Sequence, residues 1–164
     1  MSIVCGPKIY IIEQRLRRST EASMQEEQAA FRKNRQTQDH ICTLRTVIDK
    51  MLATNRDLYI AFMDIASAFD NVRRTEVWNL LRTRKVSGKL TAAIEKVYKK
   101  AKGRVRLNGR ESNTFEWTKG IKQGDSLSPL LFNLIMDQIT KDSNNELRQK
   151  KTDITTYNQY MSRP

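Results

Sequence analysis

Apolar and polar positions follow one another along this chain with a period that changes from segment to segment, and each change marks a predicted element. Leu58-Tyr59-Ile60-Ala61-Phe62-Met63 is a run of uncharged, mostly large residues between Asp57 and Asp64. No polar stripe interrupts it, so it predicts a strand covered on both faces rather than a surface helix. Asp64 then stands where that strand leaves the core. A carboxylate is costly to bury alone, so Asp64 is either a solvated cap or turn residue or a cation ligand, and the strand by itself leaves both open.

Upstream, Ile9, Ile12, Leu16 and Met24 recur at helical spacing between Lys8 and Glu27, with a break near Ser19-Thr20. Residues 28–36, with Phe31-Arg32-Lys33-Asn34-Arg35, have no period and read as a basic loop. From Thr37 to Thr54, Ile41, Leu44, Ile48, Met51 and Leu52 form the clearest apolar stripe of the chain, with Thr37 as N-cap and His40 beside the stripe.

Downstream, Val77, Trp78, Leu80 and Leu81 predict a helix over 75–84. Ser87-Gly88 breaks it, and Ile94, Val97 and Tyr98 point inward from a second helix over 90–101. Alternation follows: Val105 and Leu107 against Arg104 and Arg106, a turn at Asn108-Gly109, then Phe115 and Trp117. This is a hairpin with one apolar and one basic face. Ser128-Pro129 is a helix-start signal, and the helix buries Leu130, Leu131, Leu134, Ile135 and Ile139. Residues 143–164 are polar and aperiodic, so a disordered tail is expected behind a domain at 1–142.

Composition narrows the partner. The 164 residues allow one domain with a real core, and 30 Lys and Arg against 18 Asp and Glu give a net charge of +12 and a pI near 10.0. Such an excess points to a polyanion, either nucleic acid or an anionic membrane face, against the alternative of a merely solvated basic surface. Cys5, Cys42 and His40 are the only residues of their kinds. They make neither a four-ligand zinc site nor a disulfide framework, and His40 stands outside any triad motif. No apolar run is long enough to cross a bilayer and residues 1–10 lack a signal-peptide core, so a soluble chain in the cytoplasm or nucleus, away from membranes, is expected.

Two stretches carry candidate chemistry: Phe62-Met63-Asp64-Ile65-Ala66-Ser67-Ala68-Phe69-Asp70-Asn71-Val72, and residues 120–133, where Gln123-Gly124 lets bare backbone and an amide approach a ligand next to Lys122 and a helix N-terminus. The second on its own fits an ordinary capped helix after a glycine turn equally well. Together the two resemble the reverse transcriptases of non-LTR (LINE-type) retrotransposons. Those enzymes show Phe-x-Asp-x-x-x-Ala-Phe-Asp-x-Val, and later Gly-x-x-Gln-Gly-Asp/Cys-x-Leu-Ser-Pro-x-Leu-Phe-Asn. Tyr98, residues 105–109 and residues 26–41 are similar to the intervening and fingers blocks, with Ala30 where a glycine is usual. The resemblance runs in order from Lys8 to Asp142.

The resemblance implies an α+β fold, a partial fingers and palm with helices packed on a small, mainly antiparallel sheet. It implies nucleotidyl transfer, in which a primer 3′ hydroxyl attacks the α-phosphate of a dNTP on an RNA template, with two Mg2+ ions at the reacting phosphate. Asp64 matches the first catalytic, metal-binding carboxylate. Phe69 matches the aromatic residue under the incoming sugar, and Gln123 and Gly124 the pair near the templating base and nucleotide. Arg32 and Arg35 would lie near the triphosphate, and Lys100, Lys102, Arg104, Arg106 and Lys122 would hold the RNA–DNA backbone. The block that supplies the remaining aspartates, Ala-Asp-Asp on a hairpin, does not occur in these residues. Asp137 and Asp142 are expected on or just past a helix and do not replace it; Asp70 is expected to make a structural hydrogen bond. The expectation is therefore a truncated RNA-directed DNA polymerase domain, inactive alone. A catalytically dead basic nucleic-acid-binding module and a non-functional retrotransposon remnant are the alternatives.

Overall fold

The computed structural model describes residues 7–99 and 101–161, with side chains as far as residue 150. Lys100, one of the expected backbone contacts, lies outside the described residues. In chain order the elements are α1 (Pro7–Thr20) with a short 3-10 turn (Glu21–Ser23), α2 (Thr37–Ala53), α3 (Arg74–Thr83), α4 (Gly88–Lys99), β1 (Lys102–Gly103), β2 (Arg106–Leu107), β3 (Arg110–Glu111), β4 (Phe115–Glu116) and α5 (Leu127–Met161). Helices joined by short antiparallel ladders make this an α+β fold, as expected.

The core is where four amphipathic faces meet. α1 packs on α4 and α5, and α3 on α4 and α5. Leu16, Val77, Leu81, Ile94, Tyr98, Ile121, Leu127, Leu130, Leu131 and Leu134 are buried there. Each such side chain contributes about 1.5–3 kcal/mol by leaving water, which accounts for the survival of helices too short to stand alone. Ile9, Ile12, Trp78, Leu80, Val97 and Ile135 pack on the rim. The helical periods read from the sequence therefore identify the buried faces of α1, α3, α4 and the first turns of α5.

The hairpin also forms. Lys102 pairs with Glu116 and Gly103 with Phe115 at its base; Arg106 pairs with Glu111 and Leu107 with Arg110 near its tip. Asn108 (φ 50°) and Gly109 (φ 77°) make the left-handed turn that matches strand twist. Its apolar side is not covered: Val105, Leu107 and Phe115 are exposed.

Four expectations are corrected. The central strand at 58–64 is not a strand; the segment is extended and open, with Tyr59, Phe62 and Met63 at 90, 84 and 93% exposure. A strand is stable only when neighbours pair its backbone, and residues 57–66 make no backbone-to-backbone hydrogen bond among the described residues. The stripe of α2 likewise forms without a partner. Among the described residues no other element packs on α2, Ile41 and Leu52 face water, and its entry is organised by Gln36, whose N–H donates to the Asp39 carboxylate at 3.1 Å, rather than by Thr37.

At the start of α5 the cap is Asp125, whose Oδ1 accepts from the N–H groups of Leu127 and Ser128 at 3.0 and 2.6 Å. Ser128 instead uses its hydroxyl on the Tyr98 phenol, 2.9 Å away. Finally, the polar tail expected at 143–164 is helical as far as Met161. No glycine or proline interrupts 130–163, so nothing in the sequence breaks the helix, and its residues 145–150 are exposed. No helix among the described residues is long and apolar enough to cross a membrane.

Candidate nucleotide and nucleic-acid site

The two motif stretches, about fifty positions apart, meet at one junction. Ile121 N–H donates to Phe69 O at 2.9 Å and Gly120 N–H to Val72 O at 3.1 Å. Lys119 Nζ donates to Asn71 Oδ1 at 3.0 Å, and Asn71 Nδ2 to Ala66 O at 3.1 Å. Gly120 is required: at φ 76°, a Cβ would lie 2.8–3.0 Å from the backbone of Asp70 and Phe69. Phe69, half-buried, stacks on Phe132 of α5 with ring centroids 4.8 Å apart and planes 20° from parallel. Phe132 itself belongs to the second motif, so the rings join one block to the other. Asp70 is exposed, and its backbone N–H closes a turn onto Ser67 O at 3.0 Å.

Arg74, at the start of α3, clamps this junction. Its Nε donates to Gly120 O at 2.7 Å, its other nitrogens reach Tyr98 O and Lys119 O at 3.3 and 3.4 Å, and its guanidinium lies 5.2 Å from the centre of the Tyr98 ring. Burial pushes the Tyr98 phenol up, and the Asp125 charge adds to that. Tyr98 is thus a neutral hydrogen-bonding strut from α4 to Ser128. Above it, Gln123 and Gly124 (φ 95°) are exposed on the turn into α5, and Lys122 is half-buried beside them.

Polar side chains one turn apart on α5 fasten the loop after α1. Asn133 accepts from Gln28 Nε2 at 3.0 Å and donates to Ala30 O. Asp137 accepts from Gln25 N–H at 2.7 Å, Arg84 Nη2 at 2.6 Å and Lys141 Nζ at 2.8 Å, while Lys141 also reaches Ser23 O. Burial pushes the Asp137 carboxyl up, but Lys141, the Gln25 N–H and Arg84 outweigh it and hold it below the usual carboxylate range. It lies on a helix, as expected, and its carboxylate is engaged in contacts that tie three parts of the chain together.

Arg32 has a different place from the one expected. It is almost fully buried, with Nε on Glu21 at 2.8 Å and Nη1 on Gln25 O and Gln28 O at 2.6 and 2.9 Å. Its donors hold the loop closed, through a chain of pairs that continues from Glu21 to Arg17 and the buried Glu13. Arg35 is bonded to Glu26 and borders an open cleft. On the hairpin, Lys102, Arg104 and Arg106 are exposed beside Lys96 and Lys99 of α4; Arg104 and Arg106 share Glu111 at 3.3 and 3.8 Å. Glu111 therefore neutralises part of the basic face.

Asp64 is exposed at the end of the open segment, with no hydrogen bond or ion pair among the described residues. No group of three or more His, Cys, Asp or Glu side chains able to hold a metal occurs among them. Magnesium is bound by several hard oxygen donors, and one solvated carboxylate does not supply them, so the residues present do not fit the two-ion site by themselves. Arg74, Arg84, Asn133 and Asp137 escaped the sequence reading as structural residues. Apart from the Asp137–Lys141 pair, their partners lie tens of positions away, and only Asn133 falls within a motif.

Residues 9–161 match the family described as reverse transcriptase (RNA-dependent DNA polymerase). The chain is 35% identical over 86 residues to a Retrovirus-related Pol polyprotein from type-1 retrotransposable element R2 of Nasonia vitripennis, which covers 52% of this chain and 8% of that protein. It is 30% identical over 109 residues to one from type-2 retrotransposable element R2DM of Drosophila melanogaster, covering 64% and 10%, and 30% identical over 87 residues to one from type-1 element R2 of Popillia japonica, covering 53% and 14%. The matched part is thus a small fraction of each relative. No solved structure matches. With the family match spanning nearly the whole chain and both motif blocks locked together at the Gly120 junction, the chain belongs to the reverse transcriptase (RNA-dependent DNA polymerase) family.

Proposed function

We propose that this chain is part of an RNA-directed DNA polymerase. In this reading it supplies the first metal-binding carboxylate, Asp64, and the nucleotide-facing residues Phe69, Gln123, Gly124 and Arg35. Lys102, Arg104, Arg106 and Lys122, with Lys100, grip an RNA template paired with a DNA primer. Arg32 is left out of ligand binding because its side chain is buried and its Nε and Nη1 donors are engaged within the loop. The observation that carries the reading is the Phe69–Val72 to Gly120–Ile121 junction, which brings both motif blocks to one place. Mg2+ is the expected ion, but Asp64 alone does not make its site, so the chain by itself binds nucleic acid without extending it.

Backbone contacts release counterions, so affinity for an RNA–DNA hybrid should fall steeply with salt. Neutralising Lys102, Arg104 and Arg106 to Gln should weaken binding and flatten the log–log salt slope by about three. Binding that ignores salt, or an unchanged slope in the triple variant, overturns the assignment of that face.

The exposed cations of α4 and the hairpin also favour a second reading, a basic nucleic-acid-binding module without chemistry. In that case Gln123→Ala and Phe69→Leu leave hybrid affinity untouched in the presence of dNTP, whereas the polymerase reading expects both to weaken the nucleotide-loaded complex.

A further inference from the structure

The loop between α1 and α2 holds its one aromatic side chain in an unusual way. Phe31 has φ 54°, a left-handed conformation that bulky residues rarely adopt, and the residue is 59% exposed. Looseness does not explain it, because the loop is fastened on both sides of the ring. Asn133 Nδ2 donates to Ala30 O, Arg17 Nη1 to Phe31 O at 3.3 Å, and Arg32 N–H to Ala29 O at 3.3 Å, while the Arg32 guanidinium ties the next residue down through Glu21, Gln25 and Gln28. A fixed loop spends backbone strain to turn an apolar ring toward water. Strain persists where the surroundings impose it, and such places are commonly ligand clamps.

The ring borders an open cleft of about 430 Å³, also lined by Gln28, Gln36, Thr37, Arg35 and His40. Charge there is mixed: Glu27 lines the cleft and Arg35 is paired with Glu26, while Lys33 is exposed nearby. The wall is therefore no simple phosphate trap. A flat apolar face, amide groups able to donate and accept, and cations within reach suit a base with its sugar-phosphate attached.

We infer that Phe31 and the cleft between it and His40 form a stacking site for an unpaired nucleobase of a single-stranded polynucleotide. The inference rests on the reading that the chain handles nucleic acid; the cleft shares Arg35 with the nucleotide-facing set but no lining residue with the hairpin or the Gly120 junction. A duplex keeps its bases stacked on one another, so this contact selects the unpaired stretch. Every base has a π-face, so the site is indifferent to sequence.

The test is fluorescence anisotropy of the whole chain with a labelled oligoadenylate, an oligodeoxyadenylate of the same length and a blunt RNA duplex. Phe31→Ala should bind either single strand about ten-fold more weakly, with the salt slope and the duplex affinity unchanged, and Phe31→Tyr should bind like the parent. Phe31→Gly separates recognition from folding: it relieves the left-handed strain, so its Tm should equal or exceed that of the parent while single-strand affinity still falls. Loss with the RNA strand alone identifies a template-type ligand; loss with both identifies any unpaired base. Single-strand affinity unchanged in Phe31→Ala overturns this inference and leaves the hairpin assignment standing. A salt-independent hybrid affinity alongside a Phe31 effect overturns only that assignment. A parent chain that binds neither single strand overturns the stacking site.

Discussion

Asp137 joins three parts of the chain with one buried carboxylate: α3 through Arg84, the loop after α1 through the Gln25 N–H, and its own helix through Lys141. Removing one partner of a buried pair leaves the others uncompensated, so Asp137→Ala should cost about 3 kcal/mol or more. In a chain of this size that is a fall in Tm of roughly 10 °C by calorimetry; a fall no larger than that of an exposed carboxylate such as Asp49 contradicts the role. The depressed carboxyl also sets a pH dependence. Its contribution is fully present above the unfolded range, near pH 4, and is lost as pH falls through the lower folded value. Acid unfolding should therefore begin below about pH 4 and be blunted in Asp137→Asn. At Gly120, an alanine meets both an unfavourable φ and the Asp70 backbone. Gly120→Ala should destabilise by about 2 kcal/mol or more, and thermal melts read this directly.

Elements divide according to whether anything covers them. The apolar stripes of α1, α3, α4 and early α5 find one another, so those helices, their faces and their approximate ends were legible from a 3.6-residue period. The run at 58–63 and the stripe of α2 have equally clear patterns, yet neither is buried among the described residues. A periodic pattern reports that a face is made to be covered, and whether its cover is present is a property of other segments. The two motif blocks were legible as such, but the Arg74 clamp and the Asp137 contacts to Gln25 and Arg84 depend on partners that no local window contains, while the Asp125 cap lies within three residues of its partners and was masked by the Ser128-Pro129 signal. Opening free energies should follow the same division. By native-state hydrogen exchange, amides of α2 should exchange through small local openings, whereas those of Leu130–Leu134 exchange only with global unfolding. Equal protection in the two helices contradicts the view that α2 stands without tertiary support.

At the scale of the molecule, a helical core presents two outward surfaces with different chemistry: a basic hairpin, partly neutralised by Glu111, and the bend into α5, where Gln123 and Gly124 stand exposed. The net charge of +12 and the reverse transcriptase family match are what the proposed nucleic-acid reading of the first surface rests on. In the proposed reading Asp64, solvated and without companion carboxylates among the described residues, leaves binding without chemistry. The most direct test incubates the purified chain with a labelled DNA primer annealed to an RNA template, Mg2+ and all four dNTPs, and resolves retarded hybrid from lengthened primer on one gel. The account predicts a retarded hybrid whose primer keeps its original length. Template-dependent lengthening that disappears in Asp64→Ala would contradict it.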